Sequence, residues 1–391
     1  MRAIMNFRML SAAVCAGLIA GVFHRGGAVA ADSGAAKPPG ALWGRLWEYP
    51  TIYKNDDAAL FNEFRFTGRA QFDEYLIDSD TARNWDQDLI VRRLRIGAKA
   101  RFFRKLTAHL EAELNPQSHV AGTPAYQRLT DAYLAWEFSD AATLTIGKQS
   151  VKFTLDGGTS SGELLTIDRN NVANNLWFPT EYISGAALRG KVGEWQYKAG
   201  IFSGGTEDRE FGGFDARSFG MLSLGYDFAK QFNVKRALLR ADYVHNESDV
   251  HGTVTRPFED IAALVFQLEA GRWGFSADIA AGRGIGTQGD VLGLDAMPWV
   301  NLTKQLQAVF RYTHLSSGDP RGVRLARYDS FQTSQRGDLY HEFYAGLNYY
   351  FYGHRLKVQT GVAWVSLEDT TPAGDGEYHS VQWTTGLRIL F

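Results

Sequence analysis

From Asn62 to Phe391 the side chains alternate between apolar and polar, segment after segment, with a period of two. A β-strand sends successive side chains to opposite faces, so this period specifies strands with one apolar and one polar face. In Asn62–Tyr75, Phe64, Phe66, Gly68, Ala70 and Phe72 oppose Glu63, Arg65, Thr67, Arg69, Gln71 and Asp73. In Leu89–Phe103, Leu94, Ile96, Ala98, Ala100 and Phe102 oppose Arg93, Arg95, Lys99 and Arg101. Lys105–Asn115 and Arg128–Phe138 repeat the pattern, and Ala142–Gln149 is a shorter version. It continues at Tyr182–Gly193, Glu194–Ser203, Phe219–Phe228, Lys235–Asn246, Asp260–Gly271, Arg272–Gly282, Val291–Leu302, Lys304–Ser316, Leu339–Phe351, His354–Leu367 and Tyr378–Phe391. Val291–Leu302 carries Pro298, which cannot donate to a ladder. The count is about sixteen strands of roughly ten residues.

The connections alternate as well. Short ones lie at Phe103–Lys105, Ser139–Ala141, Val192–Glu194, Ala229–Val234, Gly271–Arg272, Leu302–Lys304 and Tyr352–His354, each followed one strand later by a long one. Phe64, Phe102, Phe138, Trp195, Phe228, Trp273, Phe351 and Phe391 all fall at the short-turn end. Short turns on one side, long loops on the other and an aromatic girdle describe an all-β transmembrane antiparallel β-barrel. A soluble sandwich has no reason to keep that alternation.

The two ends of the chain fit a passage to an outer membrane. Arg2 and Arg8, the apolar run Met9–Phe23 and Ala28-Val29-Ala30 read as a secretory signal peptide over residues 1–30. Residues 31–61 read as a periplasmic lead-in and 62–391 as the barrel. The only cysteine, Cys15, lies in the leader, so the mature chain offers no disulfide, thiolate ligand or Cys nucleophile. Without Arg2, Arg8 and Arg25 the formal charge moves from -2 to about -5, so any preference for anions must come from where charges sit. The last strand, YHSVQWTTGLRILF, closes on Phe391 with Ile389, Leu387, Thr385, Trp383 and Val381 at alternate positions before it. It resembles the terminal strand of bacterial outer-membrane barrels, which implies recognition by the barrel-assembly machinery.

With apolar faces toward lipid, the polar faces line a wet lumen, which strand side chains of a barrel this size cannot fill. Arg65, Arg69, Arg93, Arg95, Lys99 and Arg101 make one wall densely basic. Glu111, Glu113, Asp131 and Glu137 make the next two strands acidic. Opposed charges across a narrow pore set up a transverse field that orients solutes. The longest apolar-containing loop, Ser150–Glu181, follows the fifth strand. Leu164, Leu165, Trp177 and Phe178 would anchor it, and it is expected to fold inward and narrow the pore. Ser160-Ser161-Gly162-Glu163 fits a capping box and predicts a short helix starting near Leu164.

Arg92–Phe103 (RRLRIGAKARFF), LTDAYLAWEF, Ile146–Asn170 (IGKQSVKFTLDGGTSSGELLTIDRN) and Gly185–Gly204 (GAALRGKVGEWQYKAGIFSG) together resemble the phosphate-selective porin O/P family. The resemblance implies a trimeric, 16-stranded outer-membrane porin whose loop after strand 5 folds inward, with basic residues of loop and wall binding phosphate or related anions. By position, Lys152 and Arg169 are the basic residues of that loop, and Asp156, Glu163 and Asp168 bring opposing charge. The candidate pore and anion-binding set is therefore Arg65, Arg69, Arg93, Arg95, Lys99, Arg101, Lys152 and Arg169. The expected partners are outer-membrane lipid, small anionic or polar solutes, and two further copies in a homotrimer. A general or sugar-type diffusion porin is the alternative, and a barrel enzyme the more distant one. His109, His245, His314, His341 and His379 stand at no spacing that joins a Ser and an acid. No cofactor, metal-ligand spacing or nucleic-acid stripe is expected.

Overall fold

The computed structural model describes residues 47–391 apart from 82–84, 117–119, 121, 180, 206–209, 212–217, 248–254 and 371–375. The signal-peptide reading, residues 1–30, and the first part of the lead-in lie outside the described residues. Sixteen strands close into one antiparallel barrel. They are β1 Phe61–Ser79, β2 Asp86–Phe102, β3 Leu106–Leu114, β4 Tyr126–Ser139, β5 Ala142–Ser150, β6 Tyr182–Val192, β7 Trp195–Ser203 and β8 Ser218–Asp227. The second half is β9 Arg236–Asn246, β10 Phe258–Ala270, β11 Trp273–Gly284, β12 Val291–Asn301, β13 Leu306–Ser317, β14 Leu339–Tyr352, β15 Leu356–Glu368 and β16 Tyr378–Leu390. Every strand read from the alternation is present. The main difference is β1, which runs on to Ser79 where the alternation reads to Tyr75.

The alternation sorts the faces as expected. Phe66, Ile96, Leu110, Leu134, Ile146, Leu222 and Trp383 are exposed on the outside. Arg95, Glu111, Asp278, Arg311, Lys357 and Arg388 are buried inside. Phe138, Trp195, Trp273 and Phe391 stand exposed at the short-turn end, where the girdle is expected. Pro298 is accommodated on β12. Its pairing to β11 continues through Phe275, but the ladder to β13 jumps from Ala296↔Tyr312 to Trp299↔Val309. Pro has no N–H to give on that side.

Closure leaves a step at the seam. β16 pairs with β1 from Ser380↔Ser79 to Leu390↔Arg69, and Phe391 and Gly68 exchange backbone hydrogen bonds of 3.0 Å. A side chain at Gly68 would collide with the Phe391 ring, so this position admits only glycine while the ring packs there. Below that point β1 would have a bare edge. The lead-in covers it: Thr51–Lys54 pairs with Glu63–Arg65, and the Trp47 indole N–H donates to the Leu390 carbonyl at 2.5 Å.

The apolar core lies inside the barrel, at its long-loop end. Phe153, Val172, Leu176 and Phe178 of the loop after β5 pack there with Phe202, Phe219, Met221, Val244 and Phe258 of the wall. Each such side chain contributes about 1.5–3 kcal/mol on burial. This core explains why a long loop lies inside the barrel rather than over its rim.

Candidate functional site

The loop between β5 and β6 crosses the lumen and is fastened to the far wall. Near its start the Thr154 and Leu155 N–H groups donate to Asp242 and Asp278, each at 2.9 Å. These bonds anchor the one-turn helix α1, Leu155–Gly158, to β9 and β11. At the tip the wall reaches for the loop backbone. Lys357 donates to the Leu164 carbonyl at 2.5 Å, Asn348 to Leu165 at 2.8 Å and Arg388 to Ile167 at 2.9 Å. Arg311 donates to the Thr166 hydroxyl at 2.7 Å and the Asp168 carbonyl at 3.1 Å. The chain then returns through helix α2, Asn171–Leu176, capped by the Asn170 side chain on Ala173 N at 2.8 Å.

The helix expected near Leu164 does not form, and these contacts give the reason. Ser160–Glu163 makes only a turn, with Glu163 N donating to Ser160 O at 2.8 Å. The carbonyls that would propagate a helix from it are claimed by Lys357, Asn348 and Arg388 from across the barrel. Leu164, Trp177 and Phe178 are buried, as anchors should be.

The eight basic residues singled out in the sequence separate into two groups. Arg93, Arg95 and Arg169 are buried and committed to the fold. Arg93 donates to Gln71 at 3.0 Å; Arg95 donates to Tyr182 at 2.5 Å and pairs with Glu113 at 3.3 Å. Arg169 pairs with Glu181 at 3.4 Å and covers the Trp177 ring at 4.6 Å. Arg69 donates to the Ser161 hydroxyl and so also holds the loop. Arg101 sits at the short-turn mouth, 3.9 Å from Glu137. Arg65 is half-exposed with Glu63 at 3.6 Å. Lys99 and Lys152 have no ion-pair or hydrogen-bond partner among the described residues, and Lys152 is exposed.

Two more cations join them, on strands whose short alternation gave no reason to rank them above their neighbours. Arg189 and Lys198 are direct cross-strand partners on β6 and β7. Neither has a carboxylate partner among the described residues, and Lys198 lies 6.0 Å from the Phe202 ring centre. Arg65 and Lys99 are paired across β1 and β2. The charges of Arg65 and Arg189 both act on Lys99, and those of Lys152 and Arg189 on Lys198, so the five form one cluster, with Asp242 also within range of Lys198. Glu111 and Asp131, cross-strand partners on β3 and β4, flank it.

The long-loop end carries a second basic feature. Arg256, Arg324, Arg327 and Arg336 surround a cavity of about 470 Å³ with Asn174, Ser330 and Thr333; among the described residues no carboxylate lines it, and Arg327 is paired with Asp168 at 3.2 Å behind it. Three of these arginines come from residues 318–338, a loop that also enters the barrel: Tyr328 donates to Asp73 at 2.6 Å, and Asp329 accepts from Ser380 at 2.6 Å and Tyr378 at 3.0 Å. The signal available in the sequence was the concentration of arginines in that one loop. Among the described residues no group of three or more metal-ligating side chains gathers.

Electrostatics lock the loop. Burial alone would raise the Asp168 carboxyl, yet Arg327 at 3.2 Å and Arg92 at 3.4 Å, with Arg93 and Arg169 behind them, hold it well below the usual carboxylate range. A depressed carboxyl contributes stability above its unfolded pKa of ~3.9 and loses it only as pH falls through the lower folded value. Channel closures caused by loss of this clamp should therefore set in well below pH ~4 in bilayer recordings. Asp168→Asn should bring them to neutral pH; an unchanged Asp168→Asn trace would remove the clamp from the gating of the loop.

Residues 64–249 match the family model of phosphate-selective porins O and P. Over those residues, just under half of the chain, it is similar to that porin family. No curated protein matches it. Among solved structures it is similar to the anion-selective porin from Comamonas acidovorans, at 12% identity and TM-score 0.57, covering 84% of this chain and 99% of that one. It is similar to the outer-membrane channel DcaP of Acinetobacter baumannii at 13% identity and TM-score 0.55, covering 87% and 99%. It is also similar to the trimer form of OmpT of Vibrio cholerae at 12% identity and TM-score 0.51, covering 84% and 99%. At these identities the likeness is one of fold. The matched segment runs from within β1 through β9, which includes the inward loop and all five clustered cations.

Proposed function

We propose that this porin is a channel of the bacterial outer membrane that passes small anions, phosphate among them, through the gap between the clamped loop and the basic face of β1–β7. The observation that carries the reading is the cluster of Arg65, Lys99, Lys152, Arg189 and Lys198. Four of its five members have no carboxylate partner among the described residues, while Arg95 and Arg169 nearby are neutralised by Glu113 and Glu181, and Arg93 is buried against the Gln71 amide. Unpaired cations in a narrow, partly desolvated passage attract anions and repel cations. The arginine-lined cavity at the long-loop end would concentrate anions before they reach the cluster. Lumen geometry of this kind serves passage rather than turnover, so the chain acts as a channel and not an enzyme.

The remaining parts of the reading follow the same line. A leader over residues 1–30 takes the chain across the inner membrane and is removed, residues 31–61 lie on the periplasmic side, and the final strand is handed to the barrel-assembly machinery. The working form is a homotrimer, in keeping with the trimeric neighbour.

A second reading, a general diffusion porin, is favoured by Glu111 and Asp131 beside the cations. The reversal potential of the purified protein in a planar bilayer under a KCl gradient separates the two. Chloride selectivity that added phosphate blocks supports the anion channel. Weak selectivity without block supports the diffusion porin, and absence of conductance overturns both.

A further inference from the structure

The outer wall holds a pair of histidines that the channel does not use. His314 on β13 and His341 on β14 are direct cross-strand partners pointing outward. Their ring centres are 4.8 Å apart at an interplanar angle of 38°. Both are half-buried. Immediately toward the membrane centre lies an aromatic row, Tyr312, Phe343 and Trp364, with Tyr312 and Phe343 at 4.8 Å and Phe343 and Trp364 at 5.8 Å. An aromatic belt marks the edge of the hydrocarbon, so the pair sits just above it, at headgroup level on the long-loop side.

The two tilted imidazoles have no carboxylate in ion-pair contact among the described residues, whereas His245 and His379 each do, with Asp260 at 2.8 Å and Glu377 at 3.5 Å. A neutral imidazole presents a ring-nitrogen lone pair. Directly opposed residues on antiparallel strands have Cβ atoms about 4.5–5.5 Å apart, a span that lets both rings turn a nitrogen to one ion bonded at ~2.0–2.1 Å. Tyr312 completes the arrangement: its hydroxyl is 3.0 Å from His341 Nδ1. If Nδ1–H donates to that oxygen, the tautomer is fixed and Nε2 is left as the ligand, the usual outer-sphere support of a metal-binding histidine.

We propose that His314 and His341 form a two-histidine site for a divalent transition-metal ion of the Zn²⁺ or Cu²⁺ class, on the outer wall at the membrane interface. Borderline-soft ions favour imidazole, which separates this site from one for Ca²⁺ or Mg²⁺. The remaining coordination positions are open to water or to lipid phosphate oxygens. The site lies on the opposite face of the wall from the lumen cations, so it stands or falls independently of the anion-channel reading.

The test uses untagged, metal-free, detergent-purified barrel titrated with Cu²⁺ and read by electron paramagnetic resonance, with Zn²⁺ as competitor. The expected result is one Cu²⁺ per chain with two equatorial imidazole nitrogens, displaced by Zn²⁺, and lost in both His314→Gln and His341→Gln. Tyr312→Phe should weaken the affinity roughly tenfold while keeping the signature. Heat-modifiability on gels controls for folding of each variant. A two-nitrogen signal that survives in the double variant His314→Gln/His341→Gln, or a wild-type signal with one imidazole only, would overturn the proposal.

Discussion

Replacing Lys99, Arg189 and Lys198 together with glutamine should collapse anion selectivity. A unit charge acting at ~8 Å through an effective dielectric of ~20 is worth about 2 kcal/mol, and screening at physiological salt leaves just under 1 kcal/mol. Three such charges, discounted for non-additivity among neighbours, correspond to about a tenfold or larger fall in the chloride-to-potassium permeability ratio. With three of the five cations gone, Glu111 and Asp131 offset the remaining Arg65 and Lys152, so the reversal potential should move toward zero. The same substitution at Arg93 would not serve as the test, because Arg93 is buried and its Gln71 contact belongs to the wall. A permeability ratio unmoved by the triple variant would show that the filter lies elsewhere, and the arginine-lined cavity at the long-loop end would be the next place to look.

Arg388→Ala should both weaken the barrel and loosen the constriction. Arg388 is 1% exposed and its partner Asp73 is fully buried. The pair is in contact, and the same guanidinium donates to the Phe72 carbonyl at 3.1 Å and to Ile167 of the loop at 2.9 Å. Removing one member of a buried pair leaves an uncompensated charge and costs about 3–5 kcal/mol. Asp73 keeps the Tyr328 hydroxyl at 2.6 Å, which places the expected loss at the lower end of that range. The loop tip also loses one of its wall contacts, so the open-channel conductance should rise and become noisier. Urea unfolding followed by gel mobility reads the first effect, and single-channel recording reads the second. A variant with normal stability and a quiet, unchanged conductance would mean that Lys357, Asn348 and Arg311 hold the tip without Arg388.

The cation cluster and the clamp depend on the same arrangement. The loop tip is drawn to β9–β16 because those strands carry most of its backbone hydrogen-bond partners, so among the described residues its backbone makes no hydrogen bond to Lys99, Arg189 or Lys198 on β2, β6 and β7. Those cations keep their charge available because the loop's own carboxylates, Asp168 and Glu181, are spent on Arg92, Arg327, Arg169 and Arg95. Constriction and charge filter are therefore two results of one fold of the loop.

The sequence by itself determined the barrel. A period of two fixes which side chains face lipid in every strand, and a strand in lipid must satisfy its backbone in a closed sheet, so strand number, antiparallel order and the apolar exterior follow from local pattern alone. The inward loop was legible too, because Leu164, Trp177 and Phe178 could not remain in water. The sequence did not determine which lumen cations stay free. Arg95 and Lys99 look alike on β2, yet Arg95 meets Glu113 across the hairpin and Tyr182 from the far end of the inward loop, while Lys99 lies opposite His109 and forms no ion pair among the described residues; that outcome depends on register and on how the loop folds. The helix expected at Leu164 failed for a related reason, since its carbonyls are taken by side chains roughly two hundred positions away. Alternation is a property of neighbours in sequence, whereas charge pairing is a property of neighbours in space, and only the closed barrel with its loop inside brings the second kind together.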